Sequence, residues 1–310
     1  MSGGLHLVWE AVLATTVLGL GAYVTAVLDG VIGRLVAREA VSVRRAMATP
    51  LRQAALLLLQ QRTATERPDA AAWLIAPTLL GGIAAVSVAL VPVGPSTVVA
   101  DADAGIVLFG AVAALVMVAV YLHGWAPNSV FPLVGGYRFV ALALSYEMPL
   151  ALVLIGAALP AQSLNFSAIV ASQADVWNVI RQPLGLPIYI IACLGLAFRG
   201  PLGYPDAADL AGGTLAETSG GARLAWQAAR AALLAAVAAI GATAFLGGWL
   251  GPWLPGAVWV AVKTLALLAL LVAADHLLAR VRLERFVVIA WTVLIPLALV
   301  DVFLSGVLAL

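Results

Sequence analysis

The sequence has few charged residues for its length. Of its 310 residues, 64% are hydrophobic and only 10% are charged, whereas a soluble domain is typically about 25% charged. The mean hydropathy is also high, at +1.08. The composition therefore excludes a soluble globular domain and indicates a polytopic membrane protein. The net charge of +1 gives no basis for binding nucleic acid.

Residues that hold metals are also scarce. Cys193 is the only cysteine, which excludes an internal disulfide and a cysteine-ligated iron–sulfur cluster held by this chain alone. The histidines, His6, His123 and His276, lie far apart without metal-ligand spacing. We therefore expect no metal site and no cofactor bound by this chain alone. The N-terminus lacks the basic start of a signal peptide, so we expect its first apolar stretch to be retained.

What the sequence has in abundance is apolar runs of about 20 residues, the length that crosses a bilayer. They predict an all-α polytopic integral membrane protein, a single transmembrane domain over residues 1–310 with about eight transmembrane helices. The predicted spans are residues 5–28, 72–93, 105–125, 140–160, 185–199, 226–249, 257–279 and 286–308. The fifth is the shortest.

The basic residues predict the orientation. With eight spans, all but two of the 16 Lys and Arg residues fall on one side; the exceptions are Arg181 and Lys263. The positive-inside rule then places both termini outside a cell inner (plasma) membrane. The predicted cytoplasmic connections are residues 30–71, 126–139, 199–225 and 280–285. The first and third are too long for simple turns, and we expect short helices there.

Glu147 is the main chemical candidate, because an acid inside an apolar run costs roughly 2.5–3.5 kcal/mol to insert and is usually kept for function. Its position leaves two interpretations open. It is either a proton-carrying carboxylate facing a polar cavity or an interfacial acid paired with a nearby arginine. Lys263 also lies within a predicted span. It either reaches the outer boundary by snorkelling or pairs with a buried acid.

Three acids lie in the connection 199–225. Asp206 and Asp209 would share one face if Pro205 started a helix, and Glu217 follows them. Two interpretations stay open: a solvated loop, or an acidic funnel that leads to Glu147.

Several motifs together resemble one known family, subunit 1 of respiratory complex I. The related membrane subunits of energy-converting hydrogenases and formate hydrogenlyases belong with it. The strongest match is Gly124-Trp-Ala-Pro-Asn-Ser129 with Gly135-Gly-Tyr-Arg138 and Ser145-Tyr-Glu147. It is similar to the family's Gly-Trp-Ala-Ser-Asn-Ser, Gly-Gly-x-Arg and Ser-Tyr-Glu. Phe245-Leu-Gly-Gly-Trp249 and Arg280-Val-Arg282-Leu-Glu284 are also similar to family segments.

The resemblance implies a non-catalytic membrane subunit of a proton-translocating oxidoreductase complex, like NADH-quinone oxidoreductase or a membrane-bound hydrogenase. Such a subunit docks a peripheral iron–sulfur arm, couples its redox reaction to proton translocation, and shapes a quinone cavity shared with partner subunits. The implied partners are membrane lipid, soluble iron–sulfur and large redox subunits, and antiporter-like membrane subunits.

The resemblance also carries roles over to individual residues of this chain. The proton-path candidates are Glu147, Asp206, Asp209 and Glu217. The docking or ion-pair candidates are Arg34, Arg38, Arg138, Arg199, Arg280 and Arg282. The secondary candidates are Lys263, Tyr146 and Glu284.

The chain departs from the family pattern in the connection 199–225 and just before it. Acids of the family fall on Gly203, on Ala208 and near Leu196. Two alternatives therefore stay open beside the coupling role. One is the membrane anchor of a divergent hydrogenase-like complex without its own proton path. The other is a stand-alone ion transporter, although no internal repeat supports it.

Overall fold

The chain folds as a bundle of helices. The computed structural model describes the backbone of residues 2–308 and the side chains of residues 15–308, and it contains no β-strand over that range. The α-helices are α1 (Ser2–Val36), α2 (Val43–Leu59), α3 (Ala70–Ala89), α4 (Gly105–Trp125), α5 (Val130–Ala158), α6 (Phe166–Ala171), α7 (Asn178–Arg181), α8 (Gly185–Leu196), α9 (Gly220–Phe245), α10 (Gly256–Leu277), α11 (Leu283–Ile289) and α12 (Ile295–Leu308).

Seven helical segments within the described part of the chain are long and apolar enough to cross a membrane. They are Thr15–Val36, Ala70–Ala89, Gly105–Trp125, Val130–Ala161, Gly220–Phe245, Gly256–Leu277 and Leu283–Leu308. The last consists of α11, a π-helical turn and α12, and the turn precedes Pro296, which cannot donate a backbone hydrogen bond. These segments confirm the predicted all-α, multi-pass membrane protein.

The predicted fifth span differs from the others. α8 has only 12 residues and is therefore about 18 Å long, short of the roughly 30 Å hydrocarbon core. It ends at Leu196 because the chain turns at Phe198, which adopts a left-handed φ of 40°. The chain continues without an α-helix until α9 begins. Apolar composition predicted a span here, but composition does not reveal a backbone turn.

The non-helical chain after α8, residues 197–219, is called the buried connection from here on. It contains only three short 3₁₀ turns, and most of its residues are buried. Its first carbonyl, that of Ala197, accepts a hydrogen bond from Arg230, ten residues into α9. Irregular backbone at such depth is tolerated only where protein surrounds it. Of the two interpretations left open for residues 199–225, the solvated loop is therefore wrong for most of this segment.

Hydrogen bonds bring the four predicted cytoplasmic connections to one end of the bundle, called the arginine-rich end from here on. The joining bonds are Thr63 N to Ser219 Oγ (2.8 Å), Asp69 N to Ala126 O (2.8 Å) and Val281 N to Pro201 O (3.2 Å). α2 supplies the short helix predicted for residues 30–71. The predicted outside position of both termini falls on Met1 and Leu310, which lie outside the described residues, as does the side chain of His6.

Two helices extend beyond their predicted spans. α1 continues to Val36, so Asp29 lies inside this helix. α5 begins at Val130, so Arg138 is part of it and does not lie in a connection. The prediction followed apolar composition, whereas helices continue into the polar interface as long as their backbone hydrogen bonds can form.

Gly135 tests how tightly the buried connection packs against α5. A Cβ at this position would lie 2.5 Å from the carbonyl oxygen of Pro205 and 3.1 Å from the backbone nitrogen of Thr214. We expect Gly135→Ala to destabilise the protein by about 1–3 kcal/mol, because backbone atoms must move. The control is Gly110→Ala on α4, where nothing lies within 4 Å. Thermal unfolding in detergent checks this; equal midpoints for the two variants would contradict it.

Candidate functional site

Arg199 ties the start of the buried connection to two membrane-spanning helices. Its Nη1 donates hydrogen bonds to Asp29 Oδ1 on α1 and to Asp275 Oδ2 on α10, each at 2.9 Å. The backbone N–H of Gly200 donates to Asp275 Oδ1 at 2.7 Å. His276 Nε2 lies 3.2 Å from Asp29 Oδ1. One guanidinium thus holds α1, α10 and the connection together.

The surroundings of Arg199 keep it charged. Burial by itself would lower the pKa of its guanidinium, but the carboxylates of Asp29 and Asp275 outweigh burial and raise the pKa above its usual value. Arg199 is therefore a fixed cation, not a group that takes up and releases protons.

Arg230 on α9 ties the middle of the same connection. Its Nη1 lies 2.6 Å from Asp206 Oδ2, and both side chains are largely buried, at 16% and 10% exposed. Thr214 Oγ1 donates to the other carboxylate oxygen of Asp206. Arg230 also donates to the carbonyl oxygens of Ala197 and Phe198. The Asp206 carboxylate is thus bound by a cation and a hydroxyl group.

A column of stacked side chains continues from Arg230 toward α4. The Arg230 guanidinium lies 4.2 Å from the centroid of the Phe198 ring. Trp226 stacks on Phe198 at 6.0 Å and on His123 at 3.8 Å. His123 is fully buried, and its Nε2 lies 3.4 Å from Thr218 Oγ1. The column joins α4 and α9 to the buried connection, so His123 belongs to the core.

Glu147 lies apart from these ion pairs. It is half-buried on α5, 17 residues after the helix begins, which is about 25 Å along the axis. Its Oε1 is buried and has no hydrogen-bond partner among the described residues, and the same holds for the hydroxyl group of the neighbouring Tyr146. No arginine or lysine of that part of the chain forms an ion pair with Glu147. Its role as a proton carrier stays a prediction.

The acids of the connection 199–225 do not converge. Pro205 does not start a helix, so Asp206 and Asp209 face different partners. Asp209 pairs with Arg138 at 2.8 Å, and its side chain is 60% exposed. The three acids of this connection therefore each contact a different partner, and they do not form the single acidic funnel that we considered.

The third acid, Glu217, accepts a hydrogen bond from Ser129 Oγ at 3.1 Å. Glu284 lies close to Tyr204, whose hydroxyl group is buried. Burial, with a smaller contribution from the Glu284 carboxylate, raises the pKa of Tyr204 to about 12. Tyr204 therefore remains protonated at neutral pH.

The remaining predicted docking residues lie near the surface of the arginine-rich end. Arg38, Arg280 and Arg282 are exposed, and Arg34 is half-buried near the end of α1. Their cationic groups are therefore accessible to a partner, and their docking role stays a prediction.

Lys263 adopts neither of the two arrangements considered for it. Only 5% of the residue is exposed, so it does not reach the boundary. Its ammonium group donates to the carbonyl oxygens of Gly248 (3.0 Å) and Leu250 (2.6 Å). It also lies 4.3 Å from the Trp177 ring centroid and 5.5 Å from that of Trp259. Backbone carbonyls and aromatic faces thus hold this cation without a carboxylate.

Among the described residues, no group of three or more His, Cys, Asp or Glu side chains is placed to hold a metal ion. The free Cys193 is buried in α8.

Sequence reasoning missed the two buried arginine clusters. Arg230 was not among the candidates, although it lies within the predicted span 226–249. The criterion that singled out Glu147, an ionisable residue in an apolar run, would have found it. Asp29 and Asp275 were not among the candidates either. No local signal shows that both contact Arg199, because they are far apart in sequence.

The chain is similar to known proteins over most of its length. A family model described as NADH dehydrogenase matches residues 9–306. The NADH-quinone oxidoreductase H subunit of Geobacillus kaustophilus (strain HTA426) is 36% identical over 257 residues, which cover 81% of this chain and 77% of that protein. An NADH-quinone oxidoreductase H subunit of Rhodopseudomonas palustris (strain HaA2) is 34% identical over 250 residues, which cover 79% and 78%.

The two ion pairs of the buried connection should differ strongly in how much they stabilise the folded protein. Arg230→Ala leaves Asp206 buried without its cation, and we expect a loss of about 3–5 kcal/mol. Asp209→Ala breaks the exposed pair with Arg138 and should cost at most about 1 kcal/mol. Membrane yield and thermal unfolding of the purified chain check the contrast. Equal losses for the two variants would show that burial does not decide the importance of these pairs.

Proposed function

Because the chain belongs to the NADH dehydrogenase family, that of complex I subunit 1, we propose that it couples a redox reaction to proton translocation in a multi-subunit oxidoreductase. The match over residues 9–306 carries this proposal. The chain is a multi-pass inner-membrane protein. The relatives at 34–36% identity support an NADH-quinone oxidoreductase as the type of complex.

The arginine-rich end is the proposed docking face for the soluble iron–sulfur and large redox subunits. Its exposed cations attract an acidic partner surface and speed the encounter. α2 lies at this end and exposes apolar side chains such as Leu51, Leu56 and Leu59, which suit the membrane surface or a partner. The positive-inside rule places this end in the cytoplasm. Antiporter-like membrane subunits would pack on the apolar sides of the bundle.

Glu147 is the proposed proton carrier within the membrane. A half-buried carboxyl group without a cation can exist as the neutral acid and can release its proton when the local field changes. The ion pairs at Arg199 and Arg230 carry charge close to the buried connection, so a shift of the connection would move these charges. Movement of the connection would thus carry the redox signal to Glu147.

The apolar groove between α3 and α4 is a poor candidate for a quinone site. The apolar groove between α3 and α4 has a volume of about 460 Å³, and Thr78 is its only polar lining residue. A quinone head group needs polar groups that orient its carbonyls, so this groove does not fit it. We propose that any quinone site is completed by partner subunits at the arginine-rich end.

One observation favours the alternative of an anchor without a proton path. Family acids are missing at Gly203 and Ala208, and Asp206 is held by Arg230. A Cβ at Gly203 would lie 3.8 Å from Arg280 Nη2, so an acid at this position would be well placed to meet that guanidinium. Its loss removes a titratable group and leaves Arg280 available to a partner. The Glu147 experiment distinguishes the two functions.

We expect Glu147→Gln to reduce proton translocation by about 100-fold or more, because the amide cannot carry a proton. The complex should still assemble, since glutamine keeps the size of the side chain. The measurement is NADH-driven proton uptake by inverted membrane vesicles, with subunit composition checked on the purified complex. Asp175→Asn, which changes an exposed acid, is the control and should translocate normally.

Different results would refute the coupling role of Glu147 and membership of an oxidoreductase complex. Full translocation by Glu147→Gln would refute the coupling role of this residue and favour the anchor. Recovery of the wild-type chain alone, under mild conditions that preserve other membrane complexes, would instead refute membership of an oxidoreductase complex.

The docking face makes a separate prediction. The double variant Arg280→Ala/Arg282→Ala should retain about tenfold less of the soluble iron–sulfur subunits in a low-salt pull-down, because it removes two cations that attract an acidic surface. Arg181→Ala, which removes a cation outside the arginine-rich end, should retain them. Undiminished retention by the double variant would place the docking face elsewhere.

A further inference from the structure

A second buried carboxyl group lies at the end of the bundle opposite the arginine-rich end. Asp301 on α12 is fully buried, and its Oδ2 accepts a hydrogen bond from Gln182 Nε2 at 3.0 Å. The carboxyl group lies where α12 meets the last turn of α5, near Gly156, and the start of α8, at Gly185. It is separate from the ion pairs that Arg199 and Arg230 form.

Two glycines make the space for this group. A Cβ at Gly185 would lie 2.9 Å from Asp301 Oδ2 and 3.0 Å from a ring carbon of Phe245. A Cβ at Gly156 would collide with Gln182 Nε2. The backbones of two helices thus leave room for the Asp301–Gln182 pair, and a side chain at either glycine would clash with it.

No cation balances this carboxyl group. Within residues 15–308, no Lys, Arg or His side chain forms an ion pair with Asp301. The nearest arginine in sequence to its partner is Arg181, whose guanidinium donates to the carbonyl oxygen of Ser172. The groups that face the carboxyl are the Gln182 amide and the backbone N–H groups of Leu184 and Gly185. These donors stabilise the anion, whereas burial without a cation favours the neutral acid, so both forms are accessible.

Unpartnered oxygens surround the site. Asp301 Oδ1, Gln182 Oε1 and Asn178 Oδ1 are all buried and have no hydrogen-bond partner among the described residues. All three are acceptors, and native structures rarely leave such atoms unsatisfied. A protonated Asp301 supplies the missing donor, and its O–H can bond to Gln182 once the amide is flipped, a choice that heavy-atom positions do not fix.

The position of Asp301 extends the route that Glu147 begins. Gly156, beside Asp301, follows Glu147 by nine residues on α5, which is about 13 Å along the helix axis. We propose that Asp301 is a second proton-carrying carboxyl group, placed after Glu147 on the way toward the end opposite the arginine-rich end. This inference rests on the proposed function, in which Glu147 carries a proton.

A purely structural role for Asp301 makes a different prediction. The carboxylate could serve only to bind the N–H groups at the start of α8, as an N-cap does. Asparagine keeps an acceptor oxygen and nearly the same shape, so Asp301→Asn would then leave translocation unchanged. A proton carrier cannot be replaced in this way, because the amide does not titrate.

The experiment uses the assembled complex carrying Asp301→Asn. We expect normal assembly, a loss of NADH-driven proton translocation by about tenfold or more, and loss of one carboxylic acid band from the redox-induced infrared difference spectrum. The control is Ser305→Ala on α12, the helix that also carries Asp301. This variant removes a buried hydrogen bond to the carbonyl oxygen of Gly156 on α5 and should change neither readout.

Three results would decide the question. Unchanged translocation with an unchanged carboxyl band in Asp301→Asn, while Glu147→Gln blocks translocation, would refute this inference alone. Full translocation by both variants would refute the proposed function itself. If Asp301→Asn does not assemble, Gln182→Leu replaces it: this variant keeps the carboxyl group but removes its donor, so the band must shift, and an unshifted band would refute the inference.

Discussion

A chain that lies in hydrocarbon must satisfy its backbone polar groups internally, and here one span is too short to do so by helix formation alone. α8 ends after 12 residues, and the buried connection completes the passage without an α-helix. Arg199 and Arg230 stabilise this non-helical segment. They bind carboxylates from α1, α10 and the connection, and Arg230 also binds carbonyl oxygens that no helix satisfies. The packing of the arginine-rich end depends on these two cations.

The two ends of the bundle therefore differ in their electrostatics. At the arginine-rich end, four acids form ion pairs with arginines, namely Asp29, Asp206, Asp209 and Asp275. At the opposite end, Asp301 is surrounded by amides and N–H groups, and Lys263 by carbonyls and aromatic rings. Glu147 lies between the two ends without an ion-pair partner among the described residues. Ion pairs at one end and carboxyl groups without an ion-pair partner beyond them suit the proposed coupling of movement to proton transfer.

The family match and the departures from it concern different parts of the chain. The matched motifs include α5 with Ser145-Tyr-Glu147 and the segment Arg280–Glu284, where the helices and exposed arginines occur as expected. The departures concentrate in and just before the buried connection, at Gly203, at Ala208 and near Leu196. In this region Arg230 and Asp206 form a buried pair that locks the connection. The chain thus matches its family over most of its length and holds a buried ion pair in the connection.

The sequence by itself determined the class of fold, seven of the spans and the convergence of the basic connections, and it singled out Glu147 as a candidate. These features depend on composition and local periodicity, which can be read along the chain without knowing its packing. Only the tertiary structure decided that α8 stops early, that Asp29 and Asp275 share Arg199, and that Asp301 faces Gln182. The members of these contacts lie tens to hundreds of residues apart. Their partners are chosen by how the helices pack, and no local pattern encodes that choice.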